Sequence, residues 1–309
     1  MVSTTIKKIN GQINIVLNQR KPIADPAAID ESVLSKHYPL ENIQKELQSL
    51  VGMNEVKRLI HEIYAWIYIN NNRQKYGLKK EKQVLHMLFK GNPGTGKTTV
   101  ARLLAKLFYD MNILSKGHLV EAERADLVGE YIGHTAQKTR ELLKKAHGGI
   151  LFIDEAYSLA RGGEKDFGKE AIDTLVKAME DNQHDLILIL AGYPKEMDYF
   201  LSLNPGLPSR FPIVMNFPDY TNDELIEIAR KMARERDYIL TQEAEIKLKN
   251  HLLRYRAIKR QSFSNARYVR NIIEKSIRKQ AVRLLKNDRF DRHDLMTLLA
   301  VDIQVEEEA

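Results

Sequence analysis

Apolar residues in the middle of the chain fall in short, nearly unbroken runs, whereas those on either side fall at helical steps. The runs "VLHMLFKG", "HLVEAE", "GILFIDEA", "LILILAGY" and "FPIVMNF" have the length and continuity of buried strands. Between them, helical patterns begin near Lys97, Thr135, Lys169 and Lys195. Such strands alternating with helices predict an α/β core, a parallel sheet covered on both faces. Ahead of it, residues 40 to 78 read as helix, with apolar positions three and four residues apart in "LQSLVGMNEVKRLIHEIYAWIYINNN". From Thr221 onward strand signals stop. The run "TNDELIEIARKMARERD" opens with a capping-box pattern, Thr221 to Glu224, and helical stretches follow from about 241 and 264. Near the start, "QINIVLN" alternates like a short strand, and "KPIADPAAIDES" reads as a linker. The predicted organisation is an arm and linker over 1–40, an α/β domain over 41–219, a small all-helical lid over 220–300 and an acidic tail over 301–309.

Composition narrows the class without changing that picture. The chain has 309 residues, 43% of them hydrophobic and 29% charged, ordinary for a protein with a real core. It has no cysteine, which removes disulfides, thiolate metal sites and cysteine nucleophiles together. No apolar run is long enough for a membrane-spanning helix, and "MVSTTIKKIN" lacks the apolar stretch of a secretory signal. A cytoplasmic protein without membrane insertion is expected. The net charge of +7 keeps nucleic acid open as a partner. However, the basic residues are mixed with acids along helices such as "EKSIRKQAVRLLKN", where solvated helix faces account for them.

The chemistry concentrates at "GNPGTGKT", Gly91 to Thr98, which fits G-x-x-x-x-G-K-[ST] between a predicted strand and a predicted helix. Gly91, Gly94 and Gly96 allow a tight turn whose N–H groups point at phosphates, and the helix N-terminus adds its positive end. Asn92, Pro93, Gly94, Thr95, Gly96, Lys97, Thr98 and Thr99 are thus candidate nucleotide contacts. Lys97 suits the β- and γ-phosphates, and the Thr98 hydroxyl suits Mg²⁺. The run "GILFIDEA" then supplies two adjacent acids after a buried strand. Asp154 suits the Mg²⁺ shell, and Glu155 suits orienting or deprotonating an attacking water. A Glu directly after the Asp favours hydrolysis of ATP over transfer to a second substrate, which disfavours a kinase.

Taken in order, "GNPGTGKTTVARLLAKLFYDMNILSKGHLVEAERADLVGEYIGHTAQKT", "GGILFIDEAYSLA", "ILAGYPKEM" and "LNPGLPSRFP" resemble the AAA+ ATPases. The likeness is to the branch that contains red-type Rubisco activases and the stage V sporulation protein K group. The stretch "LARGGEKDFGKEAIDTLVKAMED" lies nearer the sporulation side, and the resemblance covers residues 45 to 290 or so. It implies a homo-oligomeric, hexameric ring and a remodelled protein client, a sporulation factor. It also implies that Arg210 in "NPGLPSRF" is an arginine finger acting on a neighbouring subunit's nucleotide. On its residues alone, Arg210 reads equally well as a surface arginine. The resemblance further implies that Arg267 in "FSNARYVRN" is the lid arginine reaching the nucleotide, with Arg270 a lesser stand-in. Val51 and Gly52 in "SLVGMNEVK" are implied to lie beside the adenine. Many members end the fourth strand with a polar Asn or Thr; here "ILAGYPKEM" puts Tyr193 or a neighbour there, so that position stays open.

The stretch "GEYIGHT" decides between two functional readings. Members of the family place their pore-facing loop here, so Tyr131, Ile132 and Gly133 are implied to contact substrate. Gly129 and Gly133 are expected to act as flexible joints. A nucleic-acid-dependent ATPase, such as a clamp or helicase loader, is the alternative, but it would be expected to carry Lys or Arg in this loop. An aromatic and an aliphatic side chain instead grip an extended polypeptide without reading its sequence.

Overall fold

The computed structural model describes residues 3–9, 12–18, 38–79, 84–131, 133–161, 167–181, 185–258, 263–286 and 290–304. The arm is an antiparallel hairpin of β1 (Ser3–Ile9) and β2 (Gln12–Asn18). The predicted strand at "QINIVLN" is therefore present, with a partner that its own pattern did not announce. The predicted linker at 21–32 lies outside the described residues.

Helix α1 (Tyr38–Gln48) and helix α2 (Asn54–Lys75) occupy the stretch read as one helical region. They are separated because Gly52 and Met53 both adopt left-handed backbone angles, φ +63° and +57°, which no α-helix can continue through. The core then runs β3 (Met87–Gly91), α3 (Lys97–Asp110), β4 (Leu119–Ala122), the single turn α4 (Arg124–Leu127), α5 (His134–Ala146) and β5 (Ile150–Ile153). A 3₁₀ turn (Ala156–Ala160) leads to α6 (Gly168–Asp181), β6 (Ile187–Gly192), α7 (Pro194–Leu203), α8 (Leu207–Arg210) and β7 (Ile213–Phe217).

The five strands β3 to β7 pair in parallel in the order β4-β5-β6-β3-β7. Period-two alternation divides their side chains between two cores. Met87, Phe89, Ile150, Phe152, Ile187 and Ile189 pack with α1, α2 and α3 on one face. Leu88, Leu151, Ile153, Leu188 and Leu190 pack with α5, α6 and α7 on the other. Both faces are covered, which is why the inner strands read as continuous apolar runs.

After β7 the chain enters a third, separate core built by α9 (Asn222–Arg234), α10 (Gln242–Ile258) and α11 (Asn265–Leu285). The Thr221 box is present: Thr221 Oγ1 accepts from Glu224 N at 3.2 Å, and Thr221 N donates to Glu224 Oε2 at 2.7 Å. This helical unit also contains a minimal parallel pairing of β8 (Ile239–Leu240) with β9 (Thr297–Leu298), the latter following the short helix α12 (Arg292–Met296). The predicted tail needs correction at its start. Asp302 and Ile303 are buried, and Asp302 accepts from Arg283 Nε and Nη2 at 2.9 Å each, so the lid extends into the residues assigned to a tail. Residues 305–309 lie outside the described residues. Among the described residues, no helix is long and apolar enough to cross a membrane.

One buried group makes the core pH-sensitive. His86, only 6% exposed, accepts a hydrogen bond at Nδ1 from Leu188 N at 3.0 Å, and burial pushes its imidazole down to about 4. The folded state resists protonating this ring and the unfolded state does not, so the stabilisation is complete above the unfolded value and is lost as pH falls toward 4. His86 alone is expected to remove about 3 kcal/mol between pH 6.5 and pH 4. Urea denaturation at a series of pH values checks this: His86→Gln, which keeps an acceptor, should flatten the acid limb.

Candidate active site

The chain turns from β3 into α3 through Asn92–Gly96, and glycine is required at two of these positions. Gly94 and Gly96 sit at φ +70° and +93°, backbone angles that side chains disfavour. Gly94 is also pressed against the lid, where an added Cβ would lie 2.2 Å from Ser264 O and 2.8 Å from Arg267 N. The carbonyls of the turn are all bound. Lys97 Nζ donates to Gly91 O (2.8 Å) and Asn92 O (2.9 Å), and Thr95 Oγ1 donates to Asn92 O (2.7 Å). Asn265 Nδ2 donates to Pro93 O (3.3 Å), Ala266 N to Gly94 O (3.2 Å), Tyr220 Oη to Thr95 O (3.3 Å) and Val100 N to Gly96 O (3.0 Å).

Next to this turn lies a cleft of about 1210 Å³ between the sheet and the lid. Of the residues singled out from the sequence, Val51, Pro93, Gly94, Gly96, Lys97, Thr98, Thr99, Asp154, Glu155, Tyr193, Arg267 and its stand-in Arg270 line it. Its walls near the break between α1 and α2 are apolar, formed by Leu50, Val51, Met53, Ile228 and Met232. Its floor is ionic. Burial pushes the Lys97 ammonium down, Asp154 and Glu155 oppose that, and Arg267 adds to it. Asp154 sits directly after β5, where its Oδ1 accepts from Glu155 N at 2.9 Å. Glu155 follows with a left-handed φ of +46° and an exposed carboxylate. Burial and then the Glu155 charge push the Tyr157 phenol well above its usual range. Tyr193 stands 5.8 Å from Tyr157, and burial followed by the Glu155 charge raises its phenol too. The cleft thus pairs an anion-binding turn with two carboxylates and a lid arginine, an arrangement able to hold a polyphosphate and direct a water at it.

Several residues lie elsewhere. Asn92 turns its amide to Asp219 (2.9 and 3.1 Å), and Thr95 is buried beneath the turn. Gly52 faces Glu224, whose Oε1 would be 2.2 Å from an added Cβ, so it does not wall the cleft. Arg210 is tied to Glu180 Oε1 (2.6 Å from Nη2) and Gly206 O (2.8 Å from Nη1). It lies shortly before the N-terminal end of β7, with Phe211 and Pro212 between, whereas the phosphate turn follows the C-terminal end of β3. Those strands run in parallel register, Met87 opposite Ile213 and Gly91 opposite Phe217, which sets Arg210 and the turn about 15 Å or more apart along the strand direction.

The loop at Tyr131 is also fixed in part. Its stem residues Gly129 and Glu130 line the cleft, while Tyr131 is 66% exposed, edge-on to His134 at 5.4 Å. Gly133, at φ +83°, has open space around it. Gly129 does not fit the expected flexible joint: it is buried, its N–H donates to Thr135 Oγ1 at 2.9 Å, and an added Cβ would meet His134. Ile132 lies outside the described residues. Residues the sequence reading missed include Asn265, Asp219, Tyr220 and Arg161; Asn265 lay inside a quoted motif, but its partner Pro93 is 172 positions away.

Residues 87–219 match the family described as "ATPase family associated with various cellular activities (AAA)", and residues 221–309 match the AAA lid domain. The chain belongs to this AAA family of ATPases. It is 64% identical over 310 aligned residues to stage V sporulation protein K of Bacillus subtilis (strain 168), covering 98% of this chain and 96% of that protein. It is 46% identical to protein CbbX of Cereibacter sphaeroides over 90% of this chain and 91% of that one. It is also 45% identical to the chloroplastic ribulose bisphosphate carboxylase/oxygenase activase of Cyanidioschyzon merolae, over 85% and 89%. Among solved structures, the FIGL-1 AAA domain in complex with ADP shares the fold at TM-score 0.56 and 17% identity, covering 82% of this chain and 80% of that one. A point variant of Thermotoga maritima RuvB does so at 0.53 and 20%, covering 83% and 69%.

A substitution at the turn tests this geometry. Gly94→Ala meets both a left-handed φ and the Ser264 carbonyl, so ATP affinity is expected to fall roughly ten-fold or more. Gly77→Ala, at φ +71° with open space around it, carries similar backbone strain but should leave affinity unchanged. Titration with a fluorescent ATP analogue compares the two.

Proposed function

We propose that the protein is an ATP-hydrolysing ring motor that remodels a protein client in the cytoplasm. The observation that carries this reading is the loop whose stem lines the nucleotide cleft while its Tyr131 side chain projects into solvent. A change at the phosphates has a short route from Glu130 to an exposed aromatic that rests edge-on to His134. An exposed aromatic suits dispersion contact with an extended polypeptide.

In this reading Lys97 binds the β- and γ-phosphates, Arg267 approaches them from the lid, and Glu155 orients the attacking water. Thr98 and Asp154 share the cleft and offer the hard oxygen donors that Mg²⁺ prefers. Mg²⁺ held there would offset phosphate charge. Arg210 lies at the opposite end of the sheet and cannot serve its own cleft, which favours action on a neighbour's nucleotide. A repeating head-to-tail contact closes into a ring when its rotation closes, in this reading a homo-hexamer. The sporulation name of one relative and the activase name of another favour a protein client, in this chain a sporulation factor.

Glu155→Gln is expected to bind ATP and hydrolyse it ~10²-fold more slowly or worse, holding the nucleotide in place. Arg210→Ala should bind ATP normally yet lose ~10³-fold in turnover, and mixing it with Glu155→Gln should restore activity at mixed interfaces. Single-turnover assays and native mass spectrometry read these outcomes.

Tyr131→Ala is expected to bind ATP and assemble but fail to remodel the protein captured by ATP-held Glu155→Gln rings. Normal remodelling by that variant would overturn the loop reading. Turnover stimulated by DNA or RNA at physiological salt, and by no protein, would transfer the case to a nucleic-acid motor.

A further inference from the structure

Asn265 is fully buried at the first turn of α11, with a left-handed φ of +47°. Its amide joins three parts of the molecule. Oδ1 accepts from Tyr220 N at 3.1 Å, and Nδ2 donates to Asp219 Oδ1 at 2.7 Å and to Pro93 O at 3.3 Å, with Phe263 O at 3.5 Å beyond. Asp219 in turn accepts from Asn92. The next residue, Ala266, donates its N–H to Gly94 O, and the one after it is Arg267.

This position demands an amide. One acceptor must face Tyr220 N–H, and two donor hydrogens must face a carboxylate and a carbonyl; only Asn provides both on so short a stem. Asn also tolerates the left-handed backbone better than most residues. An Asp here would bring a second carboxylate against Asp219 and turn an acceptor toward Pro93 O.

We propose that Asn265 is a positioning residue: it locks the start of α11 to the phosphate turn and to the Asp219–Tyr220 junction, and so holds Arg267 over the cleft. Lid orientation and phosphate-turn conformation are coupled through this amide, beside the Ala266–Gly94 and Tyr220–Thr95 bonds. The proposal rests on the cleft being the nucleotide site, which Lys97→Ala tests separately, since undiminished ATP binding by that variant would dismiss the cleft itself.

The experiment is a double-mutant cycle on the full-length chain, measuring affinity for a fluorescent ATP analogue and the nucleotide-free thermal midpoint. Asn265→Asp is expected to weaken ATP binding roughly ten-fold or more, because a buried hydrogen-bonded amide is replaced by an unpaired charge. Adding Arg267→Ala to it should cost little further, because both changes remove the same contact. Adding Asp219→Asn should recover part of the affinity, since the amide now at 219 donates to the carboxylate at 265 while Pro93 O still lacks its donor. If Asn265→Asp lowers the thermal midpoint strongly, Asn265→Gly replaces it in the Arg267 cycle: glycine accepts the left-handed backbone and only the side chain is lost. Wild-type affinity in the Asn265 variant, losses that multiply with Arg267→Ala, or no recovery with Asp219→Asn would each overturn the proposal.

Discussion

A turn that offers its N–H groups to a phosphate must direct its carbonyls the other way, into the protein. Each buried carbonyl left without a donor costs on the order of 1–3 kcal/mol. That constraint organises the molecule. The carbonyls from Gly91 to Gly96 take donors from the turn itself, from the sheet–lid junction at Tyr220 and from the start of α11. Three of those carbonyls, at Pro93, Gly94 and Thr95, are satisfied only by residues beyond the sheet. The phosphate turn therefore holds its shape only with the helical unit docked, and the lid is structurally part of the turn.

The sheet distributes the remaining chemistry by its polarity. All five strands run the same way, so the phosphate turn, the Asp154–Glu155 pair and Tyr193 follow strand ends on one edge. Arg210 precedes a strand start on the other. Lys97 feels Asp154, Arg267 and Glu155 inside the cleft, whose lining does not include Arg210. Within one chain Arg210 is instead neutralised by Glu180. An assembly that brought this arginine to a second cleft would have to exchange that exposed pair for a contact with more charge, which favours the exchange when a polyphosphate is bound.

How much of this was legible in the sequence depends on range. The strands and most helix starts follow from local periodicity, because both sheet faces are buried and the inner strands read as apolar runs. The phosphate turn was legible because its glycines serve a backbone shape set within a few residues. By contrast, Gly129 looks the same in sequence as Gly133, yet one is clamped by Thr135 and His134 while the other is open. Nothing local separates them. Asn265 was equally opaque, since its value lies in Pro93 and Asp219, brought near only by docking of the lid. The buried Asp302 looked like the start of a tail because the arginine that holds it stands back along α11.

The clamp on Gly129 changes how the Tyr131 loop can work. A stem hinged at both glycines would absorb any displacement of the cleft before it reached the tip. Instead, α5 braces the segment before the tip at several points. Lys138 Nζ donates to Ala125 O (2.8 Å) and Val128 O (3.2 Å), and Thr139 Oγ1 donates to Leu127 O (3.2 Å). Thr135 adds the bond to Gly129, so one face of α5 and the stem form a single hydrogen-bonded unit. Displacement of that unit would carry the tip with it, and at the tip His134 N donates to Tyr131 O at 3.1 Å. In the proposed motor, a stem braced in this way would pass displacement of the cleft to the exposed aromatic. This combination suits pulling on a polypeptide better than a loop mobile along its whole length.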